Sequence, residues 1–379
     1  MSWTRSRDTL IPINKPIMGK EEAKVVLNVI ESGYMTSAAF NGGPKVQAFE
    51  KAVCKFTGAK YAVAVNSGTA ALQASLMALG VGHGDEVALP SFTFVATANA
   101  VKAIGATPVF IDIEPFDYTM SPYDLQSKIT DKTKAIIPVH LYGHSASMDT
   151  IMDIAKYFNL PVVEDACQSL GTIYKNQHTG TIGKLGCYSF YPGKVITTGE
   201  GGMVVTNSAT LHRKLLMIRN HGMVHGYDSK VLGLNLRMTE MCAAIGVVQM
   251  KRLPVFIKRR RQNALYLSQL LDKIINDKNY EIIYPIEHKE EARNQAIFTI
   301  TTNTKNRDRL VKSLNTQGVG ASIYYPTPVH QLPLYKDETV ELKYTDDATK
   351  VVFSVPVHPN VTKRDLTKIA KIIKESYHV

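Results

Sequence analysis

Short apolar runs alternate with helical patterns from about residue 21 to residue 253. Each run has the length of a buried strand, and the segments between them repeat apolar residues at the spacing of an amphipathic helix. The predicted strands are 61–65, 86–89, 107–111, 135–139, 161–164, 186–190 and 202–206. The predicted helices between them are 69–79, 93–103, 121–129 and 147–157. This alternation predicts an α/β fold with a mostly parallel sheet covered by helices.

The pattern changes beyond residue 253, where residues 255–274 form a basic amphipathic helical pattern. Further strands and helices are then predicted, in chain order, at 295–301, 307–317, 321–324 and 363–377. Because long chains divide into domains, we expect a large domain over residues 15–253 and a smaller α+β domain over residues 254–379. The N-terminal residues 1–30 could pack on either domain.

Composition is that of a globular protein, with 379 residues of which 45% are hydrophobic and 20% charged. The first residues lack the apolar segment of a secretory signal, and no apolar run has the length of a membrane span. The four cysteines lie far apart, without the spacing of a metal site. We therefore expect a cytoplasmic protein with reduced thiols, no metal site and no contact with a membrane.

The formal net charge of +11 raises the question of nucleic-acid binding. However, the lysines and arginines are scattered, and the densest run, Lys258 to Arg261, lies where the basic helix begins. We interpret this run as a solvated helix face and expect no nucleic-acid partner. A basic surface also suits an anionic small-molecule substrate.

A phosphate site is indicated by the sequence Asn66-Ser67-Gly68-Thr69, which follows a predicted strand and opens an apolar helix. Gly68 permits a tight turn, and the free N–H groups of the first helical turn attract anions, together with the hydroxyls of Ser67 and Thr69. The alternative is an ordinary strand-to-helix turn with a serine cap. The segment has neither the GxGxxG pattern of dinucleotide-binding proteins nor the GK[ST] ending of a Walker loop.

Two further segments carry candidate chemistry. Glu164 and Asp165 end a predicted strand, where open α/β sheets bind ligands. Asp165 is the candidate ligand, whereas Glu164 is interpreted as structural. Lys194 follows a Pro-Gly turn, and a lysine that becomes desolvated there could act as a nucleophile, although a solvated loop lysine is the commoner case. The order phosphate site, carboxylate, lysine matches the needs of a phosphorylated pyridine aldehyde.

The chain resembles the DegT/DnrJ/EryC1/StrS family of nucleotide-sugar aminotransferases over nearly its whole length. These proteins have the fold-type I aminotransferase architecture and use pyridoxal 5′-phosphate (PLP). The resemblance rests on an ordered series of motifs, which includes 66–72, 84–87, 90–94, 105–109, 138–143, 164–166, 199–202, 219–222, 234–238 and 356–359.

The resemblance implies a role for each matching residue. Lys194 would bind the cofactor as an imine and, once freed, move the proton during transamination. Asp165 would pair with the pyridine nitrogen, and Phe94 would stack on the ring. The phosphate would be bound by residues near the first helix, namely Ser67, Gly68, Thr69 and Ser189.

Other roles implied by the resemblance lie further from the reacting atoms. Gln168 would reach the phenolic oxygen of the cofactor, and Asn235 would reach the phosphate from a partner subunit, so that a homodimer shares its active sites. His330 is a candidate for the sugar pocket or otherwise a polar loop residue. Thr36 lies in a loop that borders the substrate in the family, which makes it a candidate substrate contact.

Three features depart from the family pattern. Val195 follows the lysine where many relatives have asparagine, and His144 replaces a usual glutamine. Residues 38–42 look like an insertion into the substrate loop, which leaves the sugar specificity open.

The resulting prediction is a ping-pong transamination from glutamate to a nucleotide-linked keto-deoxysugar. The Thr-Thr-Gly-Glu-Gly-Gly sequence at 197–202 favours a 4-keto over a 3-keto acceptor. A related dehydratase is one alternative, but those relatives have histidine in place of Lys194. A non-catalytic regulatory protein on the same fold and a nucleotide-dependent oxidoreductase are the others, and the missing glycine fingerprint argues against the latter.

Overall fold

A computed structural model describes residues 10–278, 281–284, 290–337 and 339–377. The helices are α1 Lys20–Ser32, α2 Pro44–Thr57, α3 Gly68–Leu79, α4 Ala96–Lys102, α5 Pro122–Lys128, α6 Met148–Tyr157, α7 Ala209–Arg219, α8 Glu240–Lys278, α9 Thr304–Thr316, α10 Lys343–Val351 and α11 Lys363–Ser376. The strands are β1 Tyr61–Val65, β2 Glu86–Pro90, β3 Thr107–Ile111, β4 Thr133–Ile136, β5 Val163–Asp165, β6 Ile173–Tyr174, β7 Gln177–His178, β8 Leu185–Ser189, β9 Gly202–Thr206, β10 Glu291–Ala292, β11 Phe298–Thr301 and β12 Val352–Val355.

The large sheet is mostly parallel, as predicted. Strands β1, β9, β8 and β5 are hydrogen-bonded in that order, and β3, β2 and β4 form a second group. Parallel bridges from Ile136 to Val162 and from Val139 to Asp165 join the two groups edge to edge. Strand β9 runs antiparallel to both of its neighbours. The sheet is therefore an α/β sheet with one reversed strand inside it.

Alternating side chains of the strands serve two separate cores, because successive residues of a strand point to opposite faces. Val63 and Val65 of β1 pack with α3 and α7 on one face. Ala62 and Ala64 pack with α2 and α8 on the other. The predicted bounds of β1, β3 and β9 agree with the structure. β1 and β9 are almost wholly buried runs with turn residues at both ends, whereas β3 is buried only at its last two residues.

The C-terminal region forms its own core. Strands β11 and β12 pair antiparallel, and α9, α11 and the second half of α8 cover them. Ile11 joins this region through a parallel bridge to Val319, whereas α1 packs along α8. The N-terminal residues thus contact both parts of the molecule.

Helix α8 begins at Glu240, so the expected start at residue 255 was wrong. Pro254 lies inside the helix, although proline removes a hydrogen-bond donor and crowds the preceding turn. Flanking residues Leu253, Phe256 and Ile257 are buried in the core beneath the sheet. Their packing stabilises the helical path across the proline, which the sequence pattern could not show.

The basic run on α8 is not a solvated face throughout. Lys258 and Arg259 are exposed, but Arg260 is 2% exposed and Arg261 is partly buried. Arg261 donates to the carbonyl oxygens of Ala292 and Arg293. Positions one helical turn apart share a face, so Arg260 follows the buried Ile257 into the interior.

The strand expected at 321–324 is reduced to one bridge between Ser322 and Ser354. Beyond it the chain leaves the small sheet, and Tyr324 and Tyr325 instead line the central cleft described below. Within the described ranges, no helix is long and apolar enough to cross a membrane.

Candidate active site

A cleft of about 380 Å³ opens at the carboxyl ends of the parallel strands. This edge of the sheet is where β1 leads into α3, where β5 ends at Asp165, and where the loop between β8 and β9 carries Lys194. The predicted site residues that line the cleft are Ser67, Gly68, Thr69, Phe94, Asp165, Gln168, Ser189 and Lys194.

The N-terminus of α3 forms one end of the cleft. Ser67 caps the helix by accepting a hydrogen bond from the N–H of Ala70 at 3.1 Å. A Cβ atom at Gly68 would lie 2.8 Å from Cβ of Ser189 and 2.9 Å from Sγ of Cys167. A side chain there would therefore fill the space beside the free N–H groups of the first turn, which favour an anion. The cap and the anion site coexist, since the serine hydroxyl keeps its proton free to donate.

Asp165 is buried and held by two donors. The hydroxyl of Thr97 donates to Oδ2 at 2.8 Å, and the N–H of Cys167 donates to Oδ1 at 3.2 Å. Because Thr97 gives its only proton to the carboxylate, the Thr93 hydroxyl donates to Thr97 Oγ1 across 3.0 Å. This relay fixes the orientation of the carboxylate in the cleft wall.

Glu164 has the structural role expected of it. Its buried carboxylate accepts hydrogen bonds from the N–H groups of Gly180, Ile182 and Gly183. His140 lies 2.9 Å away through Nε2, while its Nδ1 accepts from a backbone N–H and is therefore unprotonated. The carboxylate thus joins β5 to the loop that leads into β8.

Lys194 is partly buried and lines the same cleft as Asp165. Its N–H donates to the carbonyl of Tyr191 at 2.9 Å, which closes the Pro-Gly turn. Cys167 lies near both Lys194 and Asp165. Burial raises the pKa of the Cys167 thiol well above its usual value, Asp165 raises it further, and the positive charge of Lys194 lowers it. Cys167 is therefore a neutral thiol that lies near both the lysine and the carboxylate.

Aromatic side chains form the remaining wall. Phe94 is 54% exposed, and its ring centroid lies 6.0 Å from that of Tyr325. Gln168 accepts from the N–H of Tyr142 at 2.7 Å and donates to the Tyr325 hydroxyl at 3.1 Å. Burial raises the pKa of Tyr325, so this hydroxyl stays protonated.

Several lining residues were not singled out in the sequence, namely Thr93, Thr97, Cys167, Tyr191, Tyr324 and Tyr325. The four-residue spacing of Thr93 and Thr97 beside Phe94 is a signal that could have drawn attention to them. The two adjacent tyrosines have no such signal, because they reach the cleft from the C-terminal region.

Three predicted residues do not line this cleft. Asn235 is exposed, and its carbonyl accepts from the Asn66 side chain at 3.3 Å. Thr36 is exposed in the loop before α2. His330 is buried, lies 2.7 Å from the Ser91 hydroxyl through Nδ1, and faces Asp346 at 3.5 Å. Within one chain, His330 therefore connects Ser91, which follows β2, to Asp346 on α10.

The loop that resembles an insertion is anchored to the large domain. Asn220 donates to the carbonyl of Ala38 at 2.9 Å, and Arg219 donates to that of Phe40 at 3.2 Å. The Phe40 ring packs against the core that contains α3 and α7. Residues 38–42 are therefore anchored to the fold through Ala38 and Phe40, although Ala38, Ala39 and Asn41 are exposed.

His144, the second departure from the family pattern, belongs to a buried charged cluster behind the cleft. Its Nδ1 lies 2.6 Å from Glu291, and its Nε2 lies 3.7 Å from Asp117. Arg293 pairs with Glu291 at 2.8 Å. Burial lowers the pKa of His144, but the bonds to Asp117 and Glu291 outweigh it and the net shift is upward.

The cleft has the groups that a phosphorylated aldehyde requires: an anion site at a helix N-terminus, a fixed carboxylate, an amine and an aromatic face. Gly68 leaves room where a larger residue would block the anion site. Among the described residues, no cluster of His, Cys, Asp and Glu could hold a metal ion.

Comparison with known proteins identifies an aminotransferase family. The DegT/DnrJ/EryC1/StrS aminotransferase family matches residues 16–374. GDP-perosamine synthase of Escherichia coli O157:H7 is 35% identical over 97% of this chain and 98% of its own. A UDP-N-acetyl-3-dehydro-alpha-D-glucosamine 3-aminotransferase of Acidithiobacillus ferrooxidans is 36% identical over 91% and 92%. A pleiotropic regulatory protein of Geobacillus stearothermophilus is 35% identical over 94% and 96%.

Solved structures agree with the fold. DesV of S. venezuelae, in complex with a ketimine intermediate, superposes with a TM-score of 0.88 at 33% identity and covers 95% of each chain. The PLP form of an aminotransferase from Streptococcus pneumoniae superposes with a TM-score of 0.88 at 25% identity, covering 97% of this chain and 98% of that one.

Proposed function

The chain belongs to the DegT/DnrJ/EryC1/StrS aminotransferase family, and from that premise we propose that it moves an amino group from glutamate to a nucleotide-linked keto-deoxysugar. PLP is the cofactor of this enzyme. One observation supports the proposal above all others: Lys194, Asp165 and the N-terminus of α3 face the same cleft.

The described residues have distinct roles in this proposal. Gly68, Thr69 and the hydroxyls of Ser67 and Ser189 bind the phosphate at the positive end of the α3 dipole. Asp165, oriented by Thr97, accepts a hydrogen bond from the protonated pyridine nitrogen. When bound, the cofactor supplies an electron sink for charge that develops on the reacting carbon.

Phe94 would cover one face of the ring of the bound cofactor, and Gln168 would bind its phenolic oxygen. Two hydrogen bonds fix the Gln168 amide, which accepts from the N–H of Tyr142 and donates to the Tyr325 hydroxyl.

Lys194 provides the amine that holds the cofactor and later carries the proton. Lys194 is partly buried, and its positive charge acts on the nearby Cys167 thiol. In its neutral form this amine can attack a carbonyl or accept a proton.

The acceptor is proposed to carry a nucleoside diphosphate. The formal net charge of +11 would attract such a substrate, and relatives at 35% and 36% identity are named for GDP-linked and UDP-linked sugars. The preference for a 4-keto sugar comes from the sequence at 197–202, whereas one relative is named a 3-aminotransferase. The position of amination is therefore left to the experiment below.

We further propose that the protein is a homodimer in which two subunits contribute to each active site. We also propose that it is located in the cytoplasm. Asn235 and Thr36 are exposed and lie outside the cleft of their own chain, as residues that serve a partner's cleft would. All four cysteines are free thiols, which suits a reducing compartment.

The test is a panel of nucleotide-linked 3-keto and 4-keto sugars with glutamate, with the product read by mass. We expect the cofactor to be trapped on Lys194 by borohydride and one class of sugar to gain an amino group. Lys194→Ala should lose turnover, whereas the matched surface change Lys184→Ala should keep it. Protein that takes up no cofactor would instead support the regulatory alternative, and loss of water from the sugar without amination would support the dehydratase.

A further inference from the structure

A buried arginine on α8 lies close to the catalytic lysine without touching it. Arg260 is 2% exposed, and its Nη1 donates to the carbonyl oxygens of Ala296 at 3.1 Å and Gln295 at 3.4 Å. Its Nη2 donates to Oδ1 of Asn14 at 2.9 Å. Among the described residues, no carboxylate acts on the pKa of Arg260, which burial lowers to about 10. Burying a charged group is costly, and the three hydrogen bonds of Arg260 offset part of its lost hydration.

Asn14 links this guanidinium to residues 190–201, the loop between β8 and β9 that carries Lys194 and that we call the lysine loop. Its Nδ2 donates to the carbonyl oxygens of Pro192 at 3.2 Å and Lys194 at 3.5 Å. The amide orientation is determined, because Arg260 can only donate and must meet the Asn14 oxygen. Both amide protons are therefore directed at the loop that carries the lysine.

The same guanidinium also binds the backbone of a second segment, at residues 295 and 296. Ala296, whose carbonyl it binds, precedes Ile297, and both line a small cavity behind Lys194. Ile297 lines the central cleft as well. Arg260 thus joins the lysine loop, through Asn14, to the segment that faces it.

A second contact from the same helix supports this arrangement. Gln249 lies about three turns before Arg260 on the same face of α8. It accepts from the N–H of Thr197 at 3.5 Å and donates to the carbonyl of Ile17 at 2.9 Å. Residues 10–19, which we call the N-terminal strap, are therefore held between α8 and the lysine loop at two points.

We propose that Asn14 and Arg260 are a positioning pair for the catalytic lysine. Arg260 orients the Asn14 amide, and the amide holds the backbone of the loop so that the Lys194 amine meets the cofactor at a constant distance. This inference rests on the proposed role of Lys194 as the cofactor anchor. Neither residue touches the reacting atoms.

Two substitutions at Asn14 separate positioning from stability. Asn14→Ala removes all three hydrogen bonds of the side chain, the two to the lysine loop and the one from Arg260. Asn14→Asp keeps the acceptor for Arg260 and gives that cation a charged partner, but it removes both donors to the loop. The matched control is Asn263→Ala, on the same helix, where a buried amide donates to the carbonyls of Val357, His358 and Val361, away from the lysine.

The readouts on the cofactor-loaded protein are borohydride trapping at Lys194, the pH titration of the lysine-bound cofactor's absorbance, and kcat separately from KM. We expect both Asn14 variants to shift the titration by about 0.5 pH unit or more and to lower kcat about tenfold, with the KM for glutamate within about twofold. Thermal stability should fall in Asn14→Ala and be retained in Asn14→Asp. Asn263→Ala should lose stability while keeping the wild-type titration.

Two results would overturn the positioning role: wild-type titrations in both Asn14 variants, or an equal shift in Asn263→Ala, which would indicate general loosening. Failure of the wild-type protein to trap cofactor at Lys194 would overturn the proposed function, and the positioning role with it. The wild-type trapping experiment therefore tells the two failures apart.

Discussion

Thr97 and Asp165 show how one hydroxyl can determine the behaviour of a catalytic carboxylate. Oδ2 of Asp165 accepts the only proton of Thr97, so that oxygen cannot turn away to another donor. Thr93 completes the relay from the opposite side of Thr97. The carboxylate therefore stays in one orientation before any ligand arrives, which reduces the cost of binding.

The Thr97→Val variant should weaken cofactor binding. It leaves a buried carboxylate oxygen without its donor, which typically costs about 1–3 kcal/mol and corresponds to roughly a tenfold loss of affinity. The dissociation constant can be measured by absorbance titration of the cofactor-free protein. Thr97→Ser should restore affinity and Thr93→Val should have a smaller effect, whereas equal affinities in all three would refute the relay.

At the scale of elements, the N-terminal strap depends on the C-terminal region as well as on α8. The Nε2–H of His358 donates to the carbonyl of Pro12 at 3.1 Å, and Nδ1 of His358 is buried without a partner. Burial lowers the pKa of His358 to about 4, with further lowering by the charges of Arg260 and Lys15 and a raising effect from Asp365. The folded protein therefore disfavours the protonated ring.

This shift has a definite sign for stability. Above the ordinary histidine pKa both folded and unfolded states are neutral, so His358 adds no pH dependence there. As the pH falls below that value, His358 becomes protonated in the unfolded state but stays neutral in the folded state. The free energy of unfolding therefore decreases, by about 2 kcal/mol between pH 7 and pH 5. Urea unfolding at the two pH values should show this loss, and His358→Gln should remove most of it. An identical pH dependence in the variant would contradict the assignment.

At the scale of the whole molecule, the shared active site can be tested by mixing variants. Lys194→Ala removes the amine, and Asn235→Asp places a negative charge where we propose that a partner meets the phosphate. Suppose that each site combines Lys194 of one chain with Asn235 of the other. In a mixed dimer both substitutions then fall in the same site, and the second site carries neither.

Co-refolding equal amounts of the two inactive variants should therefore recover about a quarter of wild-type turnover, since half of the dimers are mixed and each has one intact site. Mixing either variant with Lys184→Ala provides the reference for assembly. No recovery would place Asn235 in its own chain's site, and full turnover of Asn235→Asp alone would place it outside the site.

Much of the large domain was predictable from the chain. Strands such as 61–65 and 202–206 are buried apolar runs with turn residues at their ends, so local pattern determines them. Eight of the predicted site residues line one cleft, because each lies at the end of a strand of the large sheet or in the segment that follows one. Helix α8 was harder, because packing around Pro254 outweighs the usual effect of proline.

The sequence by itself determined the alternation of strands and helices, the anion-binding turn at Ser67-Gly68-Thr69, and the family motifs around Asp165 and Lys194. Those features depend on residues close together in the chain, where periodicity and turn chemistry act. Only the tertiary structure decided the contacts between distant segments: Thr97 with Asp165, Tyr325 beside Gln168, and Asn14 between Arg260 and the lysine loop. Such contacts depend on how elements pack, and a buried arginine looks the same in sequence as a solvated one.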